Sequence, residues 1–201
     1  MIKTKLTRDS FHVFQANARN ALKQSEQASS ILIRAGTGCI GLTIAHEVND
    51  ARAVLMDISD AALSVERENA RRLGVHDRTI VMRGDALKPP VSGLGQFHVM
   101  TCNPPYITGE EMGALDRSVA AYEPHLALYG GADGLDFYRA ITENYKLALK
   151  DGGYLCYEFG EEQGDSICQI LEENGFTIVE RTKDFNDTER AVIARYDRKD
   201  D

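Results

Sequence analysis

The residues Asn103-Pro104-Pro105-Tyr106 follow directly after the apolar run at 97–102. That run is typical of a β-strand, and proline cannot continue a central strand because it has no amide hydrogen to donate. The Asn103 side chain and the Pro104 carbonyl group then offer two acceptors to one small planar NH₂ group, on which Tyr106 can stack. An amide or aryl amine nitrogen is a poor nucleophile because its lone pair is delocalised. Two acceptors would raise its electron density and orient it for in-line attack on an electrophilic carbon. A plain turn after the strand is the alternative.

A glycine-rich segment, 35–41, lies between a predicted strand at 31–35 and a predicted helix. Ile40, Ile44 and Val48 recur in that helix at helical spacing. Glycines at such a junction permit a tight turn and let a ligand approach backbone amides at a helix N-terminus. Taken alone, the segment is equally compatible with a plain strand-to-helix turn.

Asp57 strengthens the case for a ligand at this turn. It ends a predicted strand at 51–57, is followed by Ile58, and lies nineteen residues beyond Gly38. An acid there can accept both hydroxyl groups of a ribose, and it can also cap the next helix. Since no basic residue follows Asp57 to bind a phosphate, the spacing indicates a nucleoside or a dinucleotide.

A second acid, Asp85, is followed by Ala86 after a predicted strand at 78–84. Its carboxylate could accept a hydrogen bond from an adenine amino group, or it could simply lie in a surface turn. The residues alone favour neither interpretation.

The elements that must position these residues alternate between strands and helices, which predicts an α/β fold with a mostly parallel sheet and helices on both faces. The last two strands are joined by a connection too short for a parallel crossover, so we expect them to pair antiparallel. The irregular stretch at 104–132 is long enough to be a functional lid or binding loop. Further strands are predicted at 97–102, 154–160, 176–182 and 190–196.

Three further helices are predicted from apolar spacing. The first starts at Ser59 or Asp60 and stops at Gly74, with one side formed by Ala62, Val65, Ala70 and Leu73. The second contains Leu135, Tyr138, Ile141, Tyr145 and Leu149 and stops at Asp151-Gly152-Gly153, and the third contains Ile167, Ile170 and Leu171 and stops at Asn174-Gly175.

The composition narrows the function classes. A chain of 201 residues fits one domain, and its net charge of −8 without a dense basic cluster argues against nonspecific nucleic-acid binding. No apolar stretch is long enough to span a bilayer, and the N-terminus does not look like a secretory signal. The four cysteines are scattered, which argues against a zinc site or a disulfide framework and favours reduced thiols in the cytoplasm.

Together these motifs resemble the class I methyltransferases that use S-adenosylmethionine, and the Asn-Pro-Pro-Tyr motif resembles the signature of their amino-methylating branch. The segments 122–141, 157–164 and 184–196 resemble one family within that branch, the release-factor glutamine N5-methyltransferases. The resemblance runs from about Gly36 to Tyr196. Nucleic-acid adenine methyltransferases share the Asn-Pro-Pro-Tyr motif but not the block at 122–141.

The resemblance implies a Rossmann-like domain at 30–198, with seven strands and an antiparallel last strand, after a divergent segment at 1–29. It implies a Gly-Gly-Gln loop of a class I peptide-chain release factor as substrate, and no metal, membrane or stable nucleic-acid partner. No general base is expected, so His98 and His125 are not assigned that role. The implied S-adenosylmethionine contacts are Arg34, Ala35, Gly36, Thr37, Gly38, Asp57, Ile58, Asp85, Ala86 and Asn103. The implied catalytic and substrate contacts are Asn103, Pro104, Pro105 and Tyr106, with Glu123 as a further substrate contact.

Two features depart from the family pattern. Leu32 stands where the first motif of the family has an acid, and Arg34 stands where it has a glycine. Only about thirty residues precede the first predicted strand, whereas the family carries a helical N-terminal domain that docks the release factor. Two alternatives to the glutamine methyltransferase follow: an adenine-N6 nucleic-acid methyltransferase, and a truncated or degenerate family member with little activity.

Overall fold

The computed structural model describes residues 29–33, 36–114 and 125–198. The predicted N-terminal segment, except for Ser29, lies outside the described residues. So do the predicted site residues Arg34, Ala35 and Glu123.

Seven strands form one sheet in the order β3-β2-β1-β4-β5-β7-β6. Strands β1 to β5 pair in parallel, whereas β7 runs antiparallel to both of its neighbours, β5 and β6. This topology confirms the predicted fold class. The strands are β1 (Ser29–Ile33), β2 (Arg52–Asp57), β3 (Thr79–Arg83), β4 (Phe97–Cys102), β5 (Leu149–Glu158), β6 (Phe176–Lys183) and β7 (Glu189–Tyr196).

Helices cover both faces of this sheet, as predicted. Alternate residues of a strand point to opposite sides of the sheet, so each face carries side chains that helices bury. On β4, for example, Val99 packs in one apolar core and Met100 packs in the other. The first core includes side chains of α1 and α2, and the second includes side chains of α5 and α6. The helices are α1 (Cys39–Glu47), α2 (Asp60–Arg72), α3 (Gly109–Gly113), α4 (His125–Leu128), α5 (Asp136–Tyr145) and α6 (Gly164–Glu173).

Helix α2 has the predicted ends but a different buried face. Its N-cap is Ser59, and Gly74 follows its last turn with φ 67°. The predicted apolar side is correct for Ala70, which is buried, but wrong for Val65 and Leu73, which are exposed. The other buried residues are Leu63 and Glu66. Apolar periodicity does not predict this face, because a carboxylic acid lies in the middle of it.

Helix α5 ends earlier than predicted. It stops at Tyr145, a 3₁₀ turn covers Lys146–Ala148, and Leu149 already belongs to β5. The Asp151-Gly152-Gly153 sequence is not the end of a helix but a bulge within β5, where the register with β4 shifts and Gly152 has φ 71°. Glycine at a bulge tolerates this left-handed backbone, so the same residues fit either prediction from sequence alone.

The stretch at 104–132 is less irregular than predicted. It contains α3, which begins with a capping box between Thr108 and Glu111, and it contains α4. An isolated bridge between Ile107 and Tyr129 holds the two ends of the stretch together. The other boundaries differ little: β1 begins at Ser29 rather than at residue 31, and Val48 is the extended C-cap of α1.

Candidate functional site

The predicted site residues lie along one edge of the sheet. The register pairs Ile33 of β1 with Met56 of β2 and with Cys102 of β4, so these strands end level with one another. The strand order reverses between β1 and β4, and open α/β sheets bind ligands outside the carboxyl ends of the strands at such a point. The glycine-rich turn follows β1, and Asn103 follows β4, so the two motifs flank this crevice.

The glycine-rich turn is held from the sheet and from α2. Gly36 and Gly38 have φ of 58° and 73°, a left-handed conformation that glycine adopts without strain. The Gly36 amide donates to Asp57 Oδ2 over 3.1 Å, and Asn69 Nδ2 donates to the Thr37 carbonyl oxygen over 3.0 Å. A Cβ atom added at Gly36 would meet no atom of the described residues within 4 Å, so these residues leave room for a ligand beside Gly36.

Asp57 lies beside the glycine-rich turn and connects it to the sheet. It ends β2 with only 7% of its surface exposed, and its Oδ1 accepts from the Ser59 amide over 2.9 Å. Each carboxylate oxygen therefore already accepts one backbone hydrogen bond, and each can accept a second. Asp57 both fixes the turn and retains acceptor capacity for a ligand hydroxyl group.

Asp85 lies in a turn after β3, at the same edge of the sheet. Its Oδ1 accepts from the Leu87 amide over 3.1 Å, and the Lys88 ammonium group lies 3.6 Å from Oδ2. Ala86 is buried, whereas Ile58, beyond Asp57, is exposed. The surface turn that the sequence allowed is therefore present, and a contact with adenine stays a prediction.

The Asn-Pro-Pro-Tyr motif lines a pocket at the end of β4. Pro104 and Pro105 are buried, and Asn103 and Tyr106 are half-buried. Among the residues that the structure describes, no hydrogen bond uses the Asn103 side chain or the Pro104 carbonyl oxygen. Neither group would have to give up a hydrogen bond to the described residues in order to bind a substrate. The described lining consists of Asn103, Pro104, Pro105, Tyr106, Ile107, Ala127 and Leu128.

Gln163 supports this motif and was not predicted as a site residue. Its Oε1 accepts from the Gly160 amide over 3.0 Å, and its Nε2 donates to the Tyr106 carbonyl oxygen over 3.0 Å. A Cβ atom at Gly160 would lie 2.9 Å from Tyr106 Cδ2, and one at Gly134 would collide with the Tyr106 carbonyl oxygen. Only glycine allows this close approach. The only sequence signal for Gln163 and Gly160 was their place in the block 157–164.

A buried acid, Glu66, lies beneath the glycine-rich turn. It is 0% exposed, and within residues 29–33, 36–114 and 125–198 neither carboxylate oxygen has a hydrogen-bond partner. A Cβ atom at Gly38 would come within 3.3 Å of Glu66 Cγ. Burial, followed by the negative charge of Asp57, raises the pKa of Glu66 from 4.5 to about 7, although Arg67 acts in the opposite direction. Nothing in the sequence pattern distinguished this residue from the exposed acids of α2.

The family model described as "Methyltransferase small domain" matches residues 18–131, which include the glycine-rich turn, Asp57 and the Asn-Pro-Pro-Tyr motif. The chain belongs to the methyltransferase small domain family.

Curated relatives of this chain carry a more specific name. A release factor glutamine methyltransferase from Clostridium acetobutylicum is 42% identical over 159 residues, which are 79% of this chain and 56% of that protein. A release factor glutamine methyltransferase from Bacillus subtilis is 33% identical over 185 residues, 92% of this chain and 63% of that protein. The chain therefore spans about three fifths of the length of these methyltransferases.

Solved methyltransferase structures share the fold. A methyltransferase from Pyrococcus furiosus superimposes with a TM-score of 0.62 at 13% identity, over 91% of this chain and 83% of that one. The METTL16 MTase domain gives a TM-score of 0.68 at 13% identity, over 94% of this chain and 83% of that one. At such low identity these neighbours support the fold and not a substrate.

Proposed function

We propose that this methyltransferase-family chain transfers a methyl group from S-adenosylmethionine to the side-chain amide nitrogen of the glutamine in the Gly-Gly-Gln loop of class I peptide-chain release factors. The observation that carries the proposal is the pair of acceptors, the Asn103 side chain and the Pro104 carbonyl oxygen, which have no protein partner in the described part of the chain. The names of the relatives from C. acetobutylicum and B. subtilis support the same substrate. Because release factors act in translation, the proposal places the chain in the cytoplasm.

The residues at the carboxyl edge fit S-adenosylmethionine. Asp57 retains acceptor capacity for the ribose hydroxyl groups, and Gly36 has open space beside it. Asp85, which follows β3, and the exposed Ile58, which follows β2, are the residues that would hold the adenine. When bound, the cofactor supplies an electrophilic methyl carbon attached to a sulfonium sulfur.

The contribution of the chain to the chemistry is orientation and electrostatics. Two acceptors at Asn103 and Pro104 bind both amide hydrogens, which directs the nitrogen lone pair at the methyl carbon and stabilises the positive charge that forms on nitrogen. The cofactor, held by Asp57 and the glycine-rich turn, would supply the methyl group to this nitrogen and would leave as a neutral thioether. The methylated nitrogen is then strongly acidic, so its proton can leave to water. His98 lies at the opposite edge, where its Nδ1 accepts from the Ser29 amide over 3.1 Å, and it cannot serve as a base for this step.

The adenine-N6 alternative would use the same two acceptors for an aromatic amino group. It would also need cationic side chains for the nucleic-acid backbone, which the net charge of −8 disfavours. Binding of a DNA or RNA oligomer at moderate salt distinguishes the two substrates. We expect no binding to either oligomer, and methylation of an adenine would contradict the glutamine proposal.

Calorimetric titration with S-adenosylmethionine tests the cofactor. We expect micromolar binding by the wild-type chain and a loss of about tenfold or more in Asp57→Ala, because the ribose loses its acceptors and Gly36 loses its partner. Asp77→Ala is a matched control, since Asp77 is an exposed acid of the same type outside the proposed site. Equal affinity in all three chains would refute the assigned role of Asp57.

A methylation assay tests the substrate. The wild-type chain, S-adenosylmethionine and a class I release factor are incubated together, and mass spectrometry of the released peptides locates the methyl group. We expect one methyl group on the glutamine of the Gly-Gly-Gln peptide and none on a release factor whose loop reads Gly-Gly-Ala. Cofactor binding without methylation would instead support the alternative of a degenerate family member.

A further inference from the structure

The turn between β6 and β7, residues 184–188, holds a phenylalanine in solvent. Phe185 is 87% exposed, and the next most exposed large apolar residues of the described chain, Ile80 and Leu147, reach 62%. A side chain in this position gains almost nothing from the apolar core. Its aromatic surface therefore needs an explanation outside folding.

Hydrogen bonds hold the turn that presents Phe185. Asp184 is buried, and its Oδ1 accepts from the amides of Asn186 and Thr188 over 2.8 and 3.1 Å. Its Oδ2 accepts from Arg190 Nε over 3.2 Å. Burial opposes ionisation, but these hydrogen bonds outweigh it and hold the pKa of Asp184 below its usual value. The ring is displayed by an ordered turn, so binding through it loses little conformational entropy.

The turn lies at the same edge of the sheet as the Asn-Pro-Pro-Tyr pocket. β4 pairs with β5 through Cys102 and Tyr157, and β5 pairs with β7 through Glu158 and Ala191. Two strand spacings, about 10 Å, therefore separate the end of β4 from the start of β7. A polypeptide whose glutamine enters the pocket passes within reach of Phe185 if it runs across the ends of β5 and β7.

Acidic side chains lie beside this path. Glu161 and Glu162, in the turn after β5, are exposed, and in the described part of the chain they take part in no ion pair. The Phe159 amide donates to the Arg190 carbonyl oxygen over 3.0 Å, so the segment that leads into this turn pairs with the start of β7, just after residues 184–188. An aromatic face beside unpaired carboxylates favours lysine or arginine, which can stack on the ring and pair with an acid.

We propose that the Phe185 turn, defined as residues 184–188, is a docking surface for the release factor outside its Gly-Gly-Gln loop, and that it binds a segment with a basic side chain. This inference rests on the proposed function, since it names a second contact with the same protein substrate. Phe185 acts in binding and has no contact with the reacting atoms.

Two measurements with Phe185→Ala test the docking surface: equilibrium binding of an intact class I release factor, and steady-state methylation. We expect an about tenfold weaker Kd and an about tenfold higher KM, with kcat unchanged. A short peptide that contains only the Gly-Gly-Gln loop should be methylated equally well by both chains. The melting temperature should not change, because the ring is not packed in the core.

Leu147→Ala is the matched control, because Leu147 is an exposed apolar residue at the opposite edge of the sheet. It should leave Kd and KM at their wild-type values. Equal binding by Phe185→Ala and the wild-type chain would overturn the docking surface but not the glutamine activity. A wild-type chain that binds the release factor through Phe185 without methylating it would refute the proposed function and retain the docking surface. If the wild-type chain did not bind the intact release factor at all, the proposed docking surface would also be refuted.

Discussion

Replacing Asn103 with alanine is expected to lower kcat for glutamine methylation by about 10²–10³-fold, the usual effect of removing one preorganised group from a polar transition-state site. The side chain supplies one of the two acceptors for the substrate amide, and the Pro104 carbonyl oxygen remains in the variant. With one acceptor the nitrogen can rotate, and its lone pair is less often directed at the methyl carbon.

The fold should tolerate this change. Asn103 is half-buried, and its side chain makes no hydrogen bond within the described residues, so truncation leaves no partner unsatisfied. We therefore expect a melting temperature close to that of the wild-type chain. Steady-state kinetics on the release factor, with thermal unfolding of the same samples, separate the catalytic effect from a structural one.

Asn49→Ala provides the comparison, because Asn49 is an exposed asparagine in the turn before β2, at the far edge of the sheet. Its kcat should equal that of the wild-type chain. If Asn103→Ala kept more than about a tenth of the wild-type kcat, the two-acceptor mechanism would be wrong, since the loss would then be under about 1.4 kcal/mol. The amide would have to be held by other residues.

The sequence predicted the positions of Asp57, Asn103 and the glycine-rich turn well because each depends on a local rule. Glycine and proline restrict the backbone within a few residues, and parallel strands bring their carboxyl ends to one edge. The assignment of segments as strands or as helices was also correct, because it too depends on local sequence patterns. The prediction of where α5 ends was wrong, because glycines at 152–153 fit a helix end and a strand bulge equally well.

Contacts between distant segments could not be read from spacing. Gln163 joins the turn after β5 to the Tyr106 carbonyl oxygen across 57 residues of sequence. Asn69 of α2 binds the Thr37 carbonyl oxygen across 32 residues. Such pairs depend on how the elements pack, and a polar residue in an apolar stripe, such as Glu66, gives no periodic signal at all.

Glu66 gives the second large expected effect, which is on stability. Since its pKa is about 7 in the folded chain and 4.5 is its ordinary value, the unfolded chain ionises first as pH rises. Between these two values the folded state binds more protons than the unfolded state, so stability falls as pH increases. Below pH 4.5 the carboxyl group is neutral in both the folded and the unfolded state, so Glu66 causes no loss of stability. Above about pH 7 the loss of stability caused by Glu66 has reached its full value and no longer changes with pH.

We expect Glu66→Met to stabilise the chain at pH 8 by about 3 kcal/mol, which corresponds to moving the pKa of one carboxyl group from 4.5 to about 7. Methionine has a similar length and adapts to an irregular apolar site. Urea unfolding at pH 5 and pH 8 measures the effect, and the gain should be much smaller at pH 5. Glu158, whose pKa burial also raises to about 7, is unchanged in the variant. The variant therefore keeps part of the wild-type pH dependence, and the difference between the two chains isolates Glu66.

Two further variants separate charge from packing. Glu66→Gln removes the ionisation but keeps a buried polar group that has no partner among the described residues. It should therefore share the altered pH dependence of Glu66→Met and be less stable than that variant. Glu68→Gln, on the exposed side of α2, should leave the pH dependence unchanged, because that side chain is half-exposed and pairs with Arg71 and Arg72 at the surface. A Glu66→Met chain with the same stability difference from wild type at pH 5 and pH 8 would mean that Glu66 titrates normally. The acid beneath the glycine-rich turn would then accept a hydrogen bond from a protein donor or from water in solution.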